Sequence, residues 1–214
     1  MAITTLNNRS INRSDTAASG QVWTATSATA ADFQAVSADY VKLATVTADA
    51  ASDATAAIDG HFTSDYDVYI LYGTAIVPGT TNQDLNYNLN VSGSAHTSSE
   101  YVYASGKNYL DSTPTHYWTT GMKSDFDNPH GTVIMANDTH ITGATTVGCM
   151  EFTFYNPLST TEYKWFKGTW SFTDTTMQTY FHTCRLHNTS AVTGVTFKYA
   201  SGNIGGKWKL YGLK

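Results

Sequence analysis

Glutamate occurs at only three positions, Glu100, Glu151 and Glu162. A glycosidase, which needs two carboxylates facing one bond, has little to draw on. Glu151 stands in VGCMEFTFY, where a period of two turns Met150, Phe152 and Phe154 inwards and Glu151 out. The seven histidines are densest in His182-Thr183-Cys184-Arg185-Leu186-His187. On a strand His182 and Cys184 share a face, whereas zinc needs about four converging ligands and the sequence offers no matching second half. Asp125-Phe126-Asp127-Asn128 ahead of Pro129 and His130 offers oxygen ligands for calcium but lacks the length and closing Glu of an EF-hand loop, so a solvated turn is expected there. No Gly-x-Ser-x-Gly elbow exists. No catalytic residue, cofactor or metal is expected, and the chain reads as non-enzymatic.

The aromatic set Tyr101, Tyr103, Tyr109, Tyr117 and Trp118 is richer. Tyr and Trp in loops suit binding surfaces and the apolar faces of sugars. The same set also suits a core that half of these rings line, and both readings stand at this point.

The elements that position these residues follow from composition. The 214 residues carry 12 Lys plus Arg against 17 Asp plus Glu, a formal net charge of -5. Charged residues make up 14 %, against about 25 % in an average domain. So few cations argue against binding nucleic acid through its phosphates. No apolar run is long enough for a membrane helix. The opening has no apolar h-region, so no secretory signal is expected. Cys149 and Cys184 allow at most one disulfide, too few for a disulfide scaffold, and read best as two small buried side chains. Abundant Thr, Gly and Tyr with little Lys, Glu and Leu point to an all-β protein.

Residues 1–37 differ from the rest. They are rich in Ala, Thr, Ser and Asn, with isolated apolar residues Ile3, Leu6, Ile11, Val22, Trp23 and Phe33 and no helical or strand period. Such a segment cannot offset its ordering entropy alone. It reads as an extended N-terminal arm that docks on a partner subunit through those six residues; a loose tail or an extra edge strand are the other readings.

From residue 38 a second region runs to 214 as strand after strand. Expected strands cover 39–47, 66–77, 84–91, 100–104, 131–136, 147–155, 163–172, 179–186, 192–200 and 207–211. The clearest is DLNYNLNV, in which Leu85, Tyr87, Leu89 and Val91 alternate with Asp84, Asn86, Asn88 and Asn90. That alternation predicts an apolar face inwards and the asparagines in water. Trp208 and Leu210 oppose Lys207, Lys209 and Tyr211 in the same way. Turns are expected at Ser92-Gly93, Ser105-Gly106, Asp127-Asn128-Pro129, Asn156-Pro157 and Ser201-Gly202-Asn203. Residues 48–57 are the only local helix candidate, weakened by Thr, Ser and Asp. Many short strands of this kind predict an antiparallel β-sandwich, and the strand count suits an eight-stranded jelly roll.

Three segments together carry a resemblance. They are the arm-like opening MAITTLNNRSINRSD; Tyr66-Asp67-Val68-Tyr69-Ile70 followed by Ile76-Val77-Pro78 and the Leu85 strand; and the end Ala191-Val192-Thr193-Gly194-Val195-Thr196-Phe197, Gly202-Asn203-Ile204 and Leu210-Tyr211-Gly212-Leu213. The chain resembles a family of virion structural proteins of tailed bacteriophages, marine ones included, over roughly residues 62 to 214. It departs from the family at Gly205-Gly206-Lys207, where a Ser-Gly-Thr type of step is expected. The physical reading of that end is independent: Gly202-Asn203 and Gly205-Gly206 permit positive φ and a tight turn, after which Trp208 and Leu210 insert.

The resemblance implies a virion location and other virion proteins, capsid or tail subunits, as partners. A capsid decoration or cement protein, anchored by its arm and oligomerising as a trimer, is the first expectation. A receptor-binding tail-fibre or tail-tip domain recognising host glycan is the second.

Overall fold

The computed structural model describes residues 21–25, 31–35, 39–80, 83–110, 116–128, 131–132, 147–173 and 177–214. The chain divides into two compact units, residues 1–39 and 40–214. In the first, β1 (Gln21–Ala25) and β2 (Ala31–Ala35) form an antiparallel hairpin in which Trp23 pairs with Phe33 and Val22 with Gln34. A strand pairing therefore runs through a stretch in which no strand period was legible. Ile3, Leu6 and Ile11 lie outside the described residues, as do the side chains of Val22, Trp23 and Phe33.

The second unit is an antiparallel β-sandwich of the jelly-roll kind. Its strands are β3 (Tyr40–Ala48), β4 (Ala56–Ile58), β5 (Val68–Pro78), β6 (Leu85–Val91), β7 (Ser94–Ala95), β8 (Tyr101–Leu110), β9 (His116–Asn128), β10 (Gly131–Thr132), β11 (Gly148–Tyr155), β12 (Lys164–Thr173), β13 (Met177–Leu186), β14 (Val192–Tyr199) and β15 (Ile204–Leu213). The larger sheet has eight strands in the order β3-β15-β5-β11-β12-β13-β8-β9. The smaller has five, β10-β6-β14-β4 with β7 on β6. Successive strands β5 and β6, and β13, β14 and β15, alternate between sheets, which wraps one core from both sides.

Side-chain alternation fills that core. Leu85, Tyr87 and Leu89 on β6, and Val195, Phe197 and Tyr199 on β14, face Met150, Phe152 and Phe154 on β11 and Phe166 and Trp170 on β12. Phe152 stacks on Phe197 across the sheets with ring centroids 6.0 Å apart, and Phe197 stacks on Trp208 at 6.2 Å. Offset stacking at this spacing adds to the burial of the rings. Gly168 on β12 lies opposite Phe152, and a Cβ there would collide with the Phe152 ring and the Glu151 carbonyl. Only glycine lets the two strands keep that ring between them.

Several expectations are corrected. Asn86, Asn88 and Asn90 are buried, at 4 %, 2 % and 3 % exposure. The segment that follows β6 covers Asn88, which donates its amide to the His96 carbonyl at 2.8 Å, and Asn90 accepts from the Thr196 hydroxyl of the neighbouring β14 at 2.9 Å. The helix candidate at 48–57 is a turn followed by β4. The Asp49 carboxylate takes the Ala51 N–H, so the local side chain competes for a donor a helix would use. Ser105-Gly106 is no turn but the interior of β8, where the register to β9 shifts between Ser105 and Lys107, as a glycine bulge allows. Asp127-Asn128 belongs to β9, itself unforeseen. β14 and β15 form no hairpin but pass from one sheet to the other; in that connection Gly202 has φ 80°, and within β15 Gly206 has φ 145°, at the bulge where β15 slips against β5.

Candidate interaction face

The predicted surface set divides. Tyr101 and Tyr103 are buried, at 0 % and 5 % exposure, so these two take the core reading and present nothing to a ligand. The reason is parity: β8 turns both rings towards β6. The Tyr101 hydroxyl accepts the Leu89 N–H of β6 at 2.9 Å and donates to the His96 carbonyl, just beyond β7, at 2.9 Å, so it serves one backbone group of each segment. Burial pushes its pKa far up. Tyr109, Tyr117 and Trp118 lie on β8 and β9, and their side chains are outside those described.

The histidine cluster also resolves by parity. His182 is inward and 2 % exposed, held between the Tyr87 hydroxyl on Nε2 at 2.7 Å and the Ser105 hydroxyl on Nδ1 at 2.6 Å. Burial pulls its pKa down to about 3 and so keeps it neutral. Cys184 beside it is buried, its thiol pushed up to about 12, while Cys149 is exposed; both are free, so only one follows the buried reading. His187 lies just beyond β13, its ring edge-on to Tyr163 at 4.2 Å. Glu151 faces out as expected, opposite Tyr72 and Thr169. Glu100 is held below its ordinary pKa by the Asn188 amide and the His96 imidazole.

The surface with chemistry to offer is elsewhere, on the outward side of the larger sheet. One cross-strand row there runs Val68, Tyr155, Trp165, Arg185, Val102. The next holds Ile70, Thr153, Lys167, Thr183 and Ala104, and the one beyond it Tyr72, Glu151, Thr169 and Phe181. Trp165 is 50 % exposed, Phe181 45 %, Tyr163 42 % and Tyr155 38 %. Cations are packed on these rings: Arg185 lies 5.5 Å from the Tyr163 ring and 5.6 Å from Trp165, and Lys167 lies 5.7 Å from Tyr155. Such contacts are attractive through the ring quadrupole.

Among the described residues, charge on this face runs against the net charge of the chain. The outward positions of β3, β5, β11, β12, β13 and β15 carry Lys42, Lys167, Arg185, Lys207 and Lys209 and one carboxylate, Glu151. Recesses open along the stripe. One of about 270 Å³ lies between Trp165, Arg185, Thr183, Ala104 and Val102, and a wider one of about 630 Å³ between Trp165, Tyr163, Glu162, Thr161 and Thr189.

A buried cation fixes the end of the stripe. Lys164, between the outward Tyr163 and Trp165, turns inward and is 2 % exposed. Its ammonium donates to the carbonyls of Ser159, of Glu162 at 2.8 Å and of Thr189 at 3.2 Å. Three donors meet three acceptors, so the burial cost is met by hydrogen bonds. The loops at 156–163 and 187–191 are thereby tied together next to the exposed rings.

None of these outward aromatics was singled out from the sequence. The signal was present: Phe166, Gly168, Trp170 and Phe172 set one parity along β12, which turns Trp165 and Lys167 to the other side. No family model matches the chain, and neither the curated proteins nor the solved structures include one that is significantly similar to it.

Proposed function

We propose that the chain is a non-enzymatic structural protein of a bacteriophage particle, a capsid decoration or cement protein that attaches through its N-terminal unit and oligomerises, as a trimer, through its sandwich. Other virion proteins, capsid or tail subunits, are its partners. The observation that carries this reading is the division of the chain at Asp39 into a short unit with a β-hairpin and a sandwich with a complete core of its own. An attachment element ahead of a rigid body is what a surface-mounted module needs, and many copies on a symmetric particle turn weak contacts into avidity. The resemblance to phage virion proteins read from the motifs of residues 62–214 is in keeping with it.

Gel densitometry of purified particles tests it through copy number: hundreds per particle fit decoration. Removing residues 1–37 is expected to abolish attachment while the sandwich stays folded. Truncated protein that still decorates particles overturns the reading.

A second reading, a receptor-binding domain of a tail fibre or tail tip that recognises host glycan, is favoured by the exposed Trp165, Tyr163 and Tyr155. It expects only a few copies per particle, and loss of host adsorption in Trp165→Ala particles that assemble normally.

A further inference from the structure

We propose that the Trp165 end of the larger sheet binds an acidic oligosaccharide, with Trp165, Tyr163 and Tyr155 stacking on pyranose rings and Arg185 and Lys167 receiving a carboxylate. This holds wherever the chain sits in a particle, so it stands apart from the decoration reading and gives the second reading a site and a ligand class.

The rings come first. Tyr155 and Trp165 are direct cross-strand neighbours, and Tyr163 precedes Trp165 by two residues on the same side. Strand backbone and the Lys164 cage hold them, so little ordering entropy is lost on binding. Aromatic faces take the C–H faces of sugar rings, and the Thr161, Thr189 and Glu162 groups of the wider recess supply acceptors and donors for sugar hydroxyls.

The cations decide the class. Among the described residues no carboxylate lies within ion-pair distance of Arg185, whose Nε is buried without a hydrogen-bond partner. A guanidinium packed on two rings, with no carboxylate partner among the described residues, can meet a ligand anion. A second copy of this chain is disfavoured as occupant, because a two-fold contact through this face would set its Lys and Arg residues against themselves. A DNA strand is disfavoured because it brings a phosphate at every step towards Glu151 and Glu162 and offers few hydroxyls to them.

The test uses the full-length protein with four probes: trigalacturonate, 3′-sialyllactose, neutral cellotriose and a ten-residue oligothymidylate, followed by calorimetry and tryptophan fluorescence. At least one acidic saccharide is expected to bind with Kd below about 1 mM, and at least about tenfold more tightly than cellotriose. Trp165→Ala and Arg185→Gln are each expected to weaken it about tenfold or more. Lys167→Gln, on a fully outward side chain, serves as the second variant should Arg185→Gln lose its fold, and is expected to weaken acidic binding alone. The proposal is overturned if neither acidic saccharide binds, if cellotriose binds as well, if Trp165→Ala changes nothing, if the oligothymidylate binds more tightly, or if sedimentation shows a dimer that Trp165→Asp dissolves. All of these are read on free protein, so they are independent of particle attachment.

Discussion

The hydroxyl of Tyr87 on β6 lies 2.7 Å from Nε2 of His182 on β13, joining the two sheets by a hydrogen bond inside an apolar core. Ser105 completes the link from β8 on the other ring nitrogen. A neutral imidazole has one donor and one acceptor nitrogen, and both hydroxyls rotate to suit. Tyr87→Phe strands one nitrogen and is expected to cost about 1–3 kcal/mol in urea unfolding. The double variant Tyr87→Phe with His182→Leu is expected to cost less than the sum of the singles. Additive losses would show that the two groups do not act as a pair.

Acid sensitivity follows from the same histidine. In the unfolded chain it titrates near 6.5, and in the folded protein burial holds it down to about 3. Between those values the unfolded state takes up a proton that the folded state refuses, so stability falls as pH drops. The slope is about 1.4 kcal/mol per pH unit at most. Glu100, with its lowered pKa, adds a loss of the same sign only below about 4.5, its ordinary value. Thermal midpoints from pH 6.5 to 4.5 are therefore expected to decline in the native protein and to flatten in His182→Leu. An unchanged slope in that variant would remove His182 as the cause.

Lys164→Met keeps the apolar stem but strands three carbonyls. We expect a loss of about 2–4 kcal/mol in chemical unfolding, together with faster amide exchange in the 156–163 loop. Stability within about 0.5 kcal/mol of native would mean that water replaces the ammonium at no cost.

Tyr199 supplies the opposite case. It is 3 % exposed, and its hydroxyl has no hydrogen-bond partner among the described residues. Tyr199→Phe removes a group that folding desolvates without return, so the variant is expected to be neutral or more stable by about 1 kcal/mol. A clear destabilisation would point to a partner for that hydroxyl in solution.

Gly168→Ala places a methyl group against the Phe152 ring and the Glu151 carbonyl. Overpacking of this kind is expected to cost about 1–3 kcal/mol, and a combined Phe152→Leu change is expected to recover part of it.

The sequence made the sandwich legible wherever alternation was clean, as in Leu85–Tyr87–Leu89 and Trp208–Leu210, whose inward faces are as read. A period of two separates two faces but does not say what covers each, which is why the asparagines of β6 were assigned to water. Ala56–Ile58 is too short to show any period, and in His116–Asn128 Gly121 interrupts a mixed polar run. The candidate face was missed because Trp165 and Phe166 are adjacent rings of similar apolar character. Only the long-range parity set by Gly168 and Trp170 tells the outward one from the inward one.

Among the described residues, a chain of overall charge -5 gathers Lys42, Lys167, Arg185, Lys207 and Lys209 on one side of the larger sheet, so its charge there is unevenly distributed. Near a negatively charged surface its net charge is repelled while the uneven distribution exerts a torque that turns the ring-bearing side forward. Encounter rates should then fall with added salt faster than a molecule of net negative sign would suggest.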